Sequence, residues 1–180
     1  GLGYADLVKV NKTIIFASIS GFGESGPYAK KRVYDPIIQA LSGLTDIQAD
    51  SESGRPKMMR TVIPDKVTAL TAAQGITAAL LQRERTGEGQ HLRLAMLDAM
   101  IAFLWPEGMI NLTVVDEVRD LRIGQLALDL IFQTSDGYIT AGAMSDDEWA
   151  GMCKTLERPD WVIDPRFSST SARFENAEVR

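Results

Sequence analysis

The spacing of apolar and polar residues predicts alternating strands and helices through the first part of the chain. Residues 13–18 form a continuous β-favouring apolar run, typical of a strand buried on both faces, and they lead into a glycine-rich loop at 21–27. Apolar side chains at three- and four-residue spacing predict a helix at 34–44. A short β-branched run at 59–63 predicts a further strand. This alternation indicates an α/β fold.

The longest predicted helix covers residues 65–85. Its many alanines and other small side chains let a neighbouring element approach closely, so we expect this helix to be central and largely buried. The alternating polar and apolar residues at 90–95 predict a half-exposed strand. Helical spacing returns at 96–115, with Pro106 as a site for a kink.

The residues after position 115 have a different character. Two strand-like runs, 128–134 and 138–143, flank a Ser-Asp-Gly sequence, a hairpin signal in which the Asp-Gly pair can supply positive φ. Ser145 and Glu148 have the spacing of a capping box, which predicts a helix that continues to Leu156. These elements indicate a small α+β segment.

A charged stretch at 116–122 separates the two parts of the chain. We therefore predict part of a large α/β domain at 1–117, a linker at 118–127 and part of a small α+β domain at 128–180. The chain starts at a glycine and ends within what looks like an unfinished helix. We expect it to be a segment of a longer protein.

Composition excludes several classes of function. A net charge of -5 over 180 residues does not provide the concentrated basic surface that nucleic-acid binding requires. The single cysteine, Cys153, rules out an internal disulfide and a cysteine-based zinc site, and its default role is buried packing. No apolar run approaches the roughly 18 residues that span a bilayer. We expect a cytoplasmic protein with no metal, no nucleic acid and no membrane among its partners.

Asp65 is the first candidate functional residue, because it follows Pro64 at the start of the longest predicted helix. A carboxylate there lies at the positive end of the helix, which favours its ionised form. Two interpretations remain open from local chemistry. Asp65 is an ordinary helix N-cap, which the frequency of aspartate at that position favours, or it is a nucleophile.

Three other motifs have structural interpretations. The Gly-x-Gly-x-x-Gly sequence at 21–26 is followed at once by a proline, and no helix opens there, so a loop with close backbone contacts is favoured over a nicotinamide site. His91, the single histidine, lies in a predicted strand and is assigned a structural role. Asp98 is predicted to cap the helix that it opens.

Several blocks in order along the chain resemble the class III coenzyme A transferases of the CaiB/BaiF type. These blocks are residues 14–28, the Tyr-Asp-Pro-Ile-Ile-Gln-Ala-Leu-Ser-Gly sequence at 34–43, the Pro64-Asp65 pair and residues 83–92. The family includes formyl-CoA and carnitine CoA-transferases and the related α-methylacyl-CoA racemases. The likeness extends over the whole chain, including the stretch at 158–167.

The resemblance implies a fold and an assembly. The chain would be the central part of a Rossmann-like CoA-transferase domain together with part of the smaller α+β domain. The parent chain would be about twice as long, because the first strands of the Rossmann-like domain and much of the CoA site are absent here. Family members are usually interlocked homodimers, so a homodimer is expected.

The resemblance also implies a reaction and its residues. An aspartate at the position of Asp65 attacks an acyl-CoA, forms a mixed anhydride and is converted by the released thiolate into an enzyme-bound thioester. A carboxylic acid acceptor then reverses these steps. With this resemblance, the interpretation of Asp65 shifts from cap to catalysis. The family's CoA-contacting loop corresponds to Ser20, Gly21 and Phe22, and coenzyme A enters as a substrate.

Two departures from the family pattern leave alternatives open. The racemases carry a histidine where this chain has Tyr34, next to the aspartate that matches Asp35, and a phenol is a poor proton shuttle at neutral pH. An α-methylacyl-CoA racemase-like isomerase is therefore the alternative. Some transferases have a run of glycines before the small domain, where this chain has only Gly124 between residues 118 and 130. A third interpretation is an inactive structural or dimer-forming fragment.

Overall fold

The computed structural model describes residues 2–50, 53–108, 130–176 and 179. The chain divides into two compact units, residues 1–113 and 114–180. The predicted linker at 118–127 lies outside the described residues. No helix in the described part is long and apolar enough to cross a membrane.

The first unit mixes helices with two strands in its described part. Its elements are α1 (Tyr4–Val10), β1 (Ile15–Ser20), α2 (Asp35–Leu41), α3 (Leu44–Ile47), α4 (Ile63–Thr86), β2 (Gln90–Ala95), α5 (Met96–Phe103) and α6 (Trp105–Gly108).

The strands β1 and β2 form a parallel pair, in register from Ile15 opposite Gln90 to Ser20 opposite Ala95. The strand predicted at 90–95 is confirmed, and the one predicted at 13–18 is confirmed with a shift of two residues. The expectation that the first strand is buried on both faces is wrong, since Ile19 is 53% exposed. The physical reason is that the faces of a strand are buried by packed helices, and the described helices leave Ile19 uncovered.

The long helix α4 packs one face against both strands. Its buried face includes Thr68, Ala72 and Ala79. A Cβ atom added to Gly75 would lie 2.9 Å from Leu92 in β2, so the small residues do permit close packing, as predicted. The expectation that the helix is largely buried is wrong for this chain, because the side chain of Leu70 on the other face is 68% exposed.

The strand predicted at 59–63 is also wrong. The residues before Ile63, where α4 begins, form no strand. The side-chain amide of Gln39 in α2 replaces a neighbouring strand: its Oε1 accepts from the N–H of Met59 (3.0 Å), and its Nε2 donates to the carbonyl oxygen of Thr61 (3.2 Å). Local periodicity cannot reveal a partner twenty residues away.

The core of the first unit lies between the helices. Four buried side chains form it: Ile38, Leu44, Met100 and Leu104. The helix predicted at 96–115 ends at Phe103, and a separate turn, α6, follows with Pro106 at its second position, which proline tolerates. The rest of that predicted helix, 109–115, lies outside the described residues.

The second unit contains a hairpin and three helices in its described part. These elements are β3 (Ile131–Gln133), β4 (Tyr138–Thr140), α7 (Asp146–Thr155), α8 (Asp160–Ile163) and α9 (Thr170–Glu175). The antiparallel hairpin is confirmed, with a four-residue loop between Gln133 and Tyr138. Gly137 does not adopt positive φ, so that detail of the prediction is wrong. The longer loop makes the left-handed conformation of a two-residue turn unnecessary.

Two local predictions for the second unit are confirmed. The capping box forms as expected, with Glu148 donating its N–H to Ser145 Oγ (3.2 Å) and Ser145 donating its N–H to Glu148 Oε2 (3.0 Å). Cys153 is fully buried in a cluster with Trp149 and Phe167. Burial raises the pKa of the Cys153 thiol, which keeps it an unreactive packing group.

Candidate active site

Asp65 is the third residue of α4 and its side chain is exposed. The N-cap of this helix is Val62, so the interpretation of Asp65 as the N-cap is wrong. Pro64 occupies the second position, where its missing N–H removes no helical hydrogen bond. The Asp65 carboxylate therefore stands in the first helical turn, where the helix dipole favours negative charge.

The first turn of α4 is tied to a second carboxylate. Asp35, the first residue of α2, is only 7% exposed, and its Oδ2 accepts a hydrogen bond from the backbone N–H of Asp65 (3.3 Å). Its Oδ1 accepts from Gln39 Nε2 (2.6 Å), one turn further along α2. Asp35 thus satisfies one of the N–H groups that a helix start leaves free, as a capping side chain does, but from another helix.

Sequence reasoning did not assign this role to Asp35. Its signal was the spacing of Asp35 and Gln39, four residues apart and hence on one face of a helix. Tyr34, where the resemblance to the racemases implies a histidine, precedes α2 as its N-cap and is 66% exposed. Both oxygens of Asp35 accept a hydrogen bond from an N–H donor within this region.

The predicted CoA-contacting loop begins where β1 ends. Ser20 Oγ accepts from the N–H of Gly23 (3.0 Å), and the carbonyl oxygen of Gly21 accepts from the N–H of Leu97 in the first turn of α5 (3.1 Å). A side chain at Gly21 would clash with Val33. No helix opens in this loop, as predicted.

This loop and the turn that carries Asp65 share a support. Phe22 and Ile63, the first residue of α4, both pack against the buried cluster around Ile38 and Met100. The loop also lies at the carboxyl end of a parallel strand, the edge at which α/β sheets bind their ligands. Ser20, Gly21 and Phe22 thus remain the predicted CoA-contacting residues, on structural grounds compatible with that role.

His91 is held by packing. Its ring stacks on Tyr4 with centroids 4.6 Å apart, and its Nε2 lies 2.8 Å from Ser18 Oγ. Glu24 approaches the same nitrogen at 4.0 Å. A serine–histidine–acid triad needs the acid on the opposite ring nitrogen, so this arrangement is not one.

Asp98 is the third residue of α5, and the N-cap is Ala95. The prediction that Asp98 caps this helix is wrong, because the strand β2 runs directly into it. Within the part of the chain that the structure describes, no group of three or more His, Cys, Asp or Glu side chains could hold a metal ion.

Comparison with known proteins decides the family. The sequence model of CoA-transferase family III matches residues 1–179. This chain belongs to that family. The resemblance stated from the sequence motifs is confirmed, and so is the mixed helix-and-strand fold, which matches solved structures of the CaiB/BaiF type.

Proteins from distant organisms are similar to the chain along nearly its whole length. The mouse (Mus musculus) succinyl-CoA:glutarate CoA-transferase is 34% identical over 178 residues, which are 98% of this chain and 41% of the mouse protein. The crystal structure of the Mycobacterium tuberculosis protein Rv3272 superposes with a TM-score of 0.84 at 31% identity, over 99% of this chain and 48% of that one.

A CaiB/BaiF family protein from Brucella suis superposes with a TM-score of 0.75 at 29% identity, over 99% of this chain and 47% of the Brucella chain. The chain therefore spans less than half the length of these relatives.

Proposed function

We propose that the full-length protein transfers coenzyme A from an acyl-CoA to a carboxylic acid and that Asp65 carries the CoA during turnover. The observation that carries this proposal is the exposed carboxylate of Asp65 in the first turn of α4. The mouse relative is named for the same kind of reaction, between succinyl-CoA and glutarate.

The proposed reaction uses the carboxylate as a nucleophile. An Asp65 oxygen attacks the thioester carbonyl carbon, and the carbon–sulfur bond breaks. CoA departs as a thiolate, and the acyl group remains on Asp65 as a mixed anhydride. The thiolate then attacks the Asp65 carbonyl carbon, which releases the donor's carboxylate and leaves an aspartyl-CoA thioester. The acceptor carboxylate attacks this thioester, which releases CoA thiolate and forms a second mixed anhydride. The thiolate then attacks the acceptor's carbonyl carbon in that anhydride, which gives the new acyl-CoA and restores the Asp65 carboxylate.

The helix start supports each of these steps. Negative charge develops on an oxygen of Asp65 or of the attacked carbonyl, and the positive end of α4 favours such charge by about 0.3–1 kcal/mol at an exposed site. The side chain is exposed in this chain, so the dry environment that strengthens such contacts must come from the bound substrate or from the rest of the protein.

We further propose that the loop of Ser20, Gly21 and Phe22 contacts CoA. The loop lies at the carboxyl end of β1, and Gly21 leaves its backbone close to Val33 without a side chain of its own. The support for this proposal is the position of the loop at the edge where α/β sheets bind ligands, while the missing side chain of Gly21 makes room for Val33.

Isotope exchange tests the proposal. Full-length protein is incubated with succinyl-CoA and radiolabelled succinate, and label entering the thioester is measured. We expect exchange, and a loss of at least about a thousandfold in Asp65→Asn and Asp65→Ala. Asp98→Asn is the matched control, because Asp98 is also the exposed third residue of a helix, and it should retain exchange within about twofold.

Three other outcomes would contradict the proposal. Exchange that survives in Asp65→Ala would show that this carboxylate is not the carrier. Deuterium incorporation next to the acyl-CoA carbonyl without CoA transfer would identify a racemase-like isomerase. A folded full-length protein with neither activity on any of several acyl-CoA donors would support the structural interpretation.

A further inference from the structure

We propose that Asp35 is a positioning residue for Asp65, acting through the backbone of the first turn of α4. This inference rests on the proposed function, since it assumes that the direction of the Asp65 carboxylate matters for CoA transfer. It assigns to Asp35 a task distinct from proton transfer and from substrate binding.

The contact between Asp35 and Asp65 is partly buried and involves one specific pair of atoms. The Asp35 side chain is 7% exposed, and its Oδ2 takes the N–H of Asp65 itself, the residue whose carboxylate is proposed to react. A charged acceptor makes a stronger hydrogen bond to a backbone N–H than a neutral one does. This hydrogen bond links the peptide group that leads into Asp65 to the α2 helix.

Gln39 holds the other side of the same turn. This buried amide donates to Asp35 Oδ1 (2.6 Å) and to the carbonyl of Thr61 (3.2 Å), and it accepts from the N–H of Met59 (3.0 Å). The Asp35–Gln39 pair thus forms hydrogen bonds to the backbone both before α4 and at Asp65. We call these two side chains the α2 bracket.

The bracket combines a rigid base with an exposed reactive group. Asp35 and Gln39 lie on one face of α2, whose Ile38 is part of the buried core. Asp65 points away from this support into solvent. A reacting group must be held within a few tenths of an ångström of its productive geometry, and a misplacement of about 1 Å can cost about a hundredfold in rate.

The direct test is Asp35→Asn in the full-length enzyme. The substitution keeps the side-chain shape but replaces one acceptor oxygen with an NH2 group. Both partners of Asp35 are N–H donors, so the variant loses either the hydrogen bond from Gln39 Nε2 or the one from the Asp65 N–H. We expect kcat for CoA exchange to fall about 10- to 100-fold with KM for the acyl-CoA within about twofold. The single-turnover rate of enzyme-thioester formation should fall by the same factor.

Asp46→Asn is the matched control. Asp46 is an exposed aspartate in the first turn of α3, and its variant should keep the wild-type kcat. Unchanged kcat and thioester formation in folded Asp35→Asn would overturn the inference. A rise in KM at unchanged kcat would also overturn it, because Asp35 would then act in substrate binding.

Gln39→Met provides a second variant should Asp35→Asn fail to fold. It keeps the side-chain length and the Asp35–Asp65 hydrogen bond but removes the support of Asp35. A fall in kcat of at least about threefold at unchanged KM supports the inference, and an unchanged kcat overturns it. Loss of activity in Asp65→Ala together with full activity in Asp35→Asn would leave the proposed function intact and remove only this inference.

Discussion

The first turns of α4 and α5 provide a comparison within one unit. Each carries an exposed aspartate as its third residue, Asp65 in α4 and Asp98 in α5. The turn of α4 is held by the buried carboxylate of Asp35, whereas the turn of α5 is held by the neutral carbonyl of Gly21. Identical positions in a helix therefore have different surroundings, and the proposed function assigns the reaction to Asp65 alone.

The largest expected effect comes from lengthening the two aspartates. Asp65→Glu keeps the charge but moves the carboxylate by one methylene, so kcat for CoA exchange in the full-length protein should fall about a hundredfold. Asp98→Glu is the matched control and should change kcat by less than about twofold. Equal decreases in kcat in the two variants, measured by the isotope exchange assay, would contradict the assignment of the reaction to Asp65 rather than Asp98.

A smaller effect is expected from removing the support below α4. Gln39→Ala leaves the N–H of Met59, the carbonyl of Thr61 and one oxygen of Asp35 without this partner, which should lower the free energy of unfolding by about 2–4 kcal/mol. Urea denaturation followed by circular dichroism measures the change. Gln74→Ala, at an exposed position of α4, is the control and should not destabilise the protein. A destabilisation no greater than that of the control would contradict the role given to Gln39.

The support of α5 can be tested in the same way. Gly21→Ala places a methyl group against Val33 and should destabilise the protein by about 1–3 kcal/mol. Because Val33→Ala makes room for that methyl group, the double variant should recover part of the loss. Strictly additive losses in the two single variants, measured by urea denaturation, would show that this close approach is not what requires glycine.

The smallest effect concerns two threonines within α4. Thr68 Oγ1 donates to the carbonyl of Pro64 (2.6 Å) in a buried setting, and Thr77 Oγ1 makes the same kind of bond to Ala73 (2.8 Å) at an exposed one. Thr68→Val should cost about 0.5–1.5 kcal/mol of unfolding free energy, and Thr77→Val less than about 0.5 kcal/mol. A larger cost at Thr77 would contradict the assigned burial of this helix start.

Features encoded by neighbouring residues could be predicted from sequence. The capping box of Ser145 and Glu148 and the strand that became β2 were both predicted correctly, because a side chain four or fewer residues away supplies the signal. The position of Asp65 in the first turn of a long helix was predicted within two residues of the observed helix start, Ile63. The family could also be recognised, because its motifs are contiguous.

Features that depend on distant partners could not be predicted. The run at 59–63 has the composition of a strand, but its backbone pairs with the side chain of Gln39, so it does not form one. Asp35 was known only as a neighbour of Tyr34, since nothing local indicates that it reaches the N–H of Asp65. The predicted burial of β1 and α4 was too high. An apolar sequence shows that a strand or helix can be buried, but it does not show whether another element packs against each of its faces.

The most direct test of the central claim is to locate the bound CoA during turnover. Full-length protein is quenched while it turns over acyl-CoA, treated with hydroxylamine to convert any thioester into a stable hydroxamate, and digested with trypsin. We predict the hydroxamate at Asp65, on the peptide that spans residues 61–66 between Arg60 and Val67. A hydroxamate on another peptide, or none on this peptide while exchange proceeds at full rate, would contradict the account.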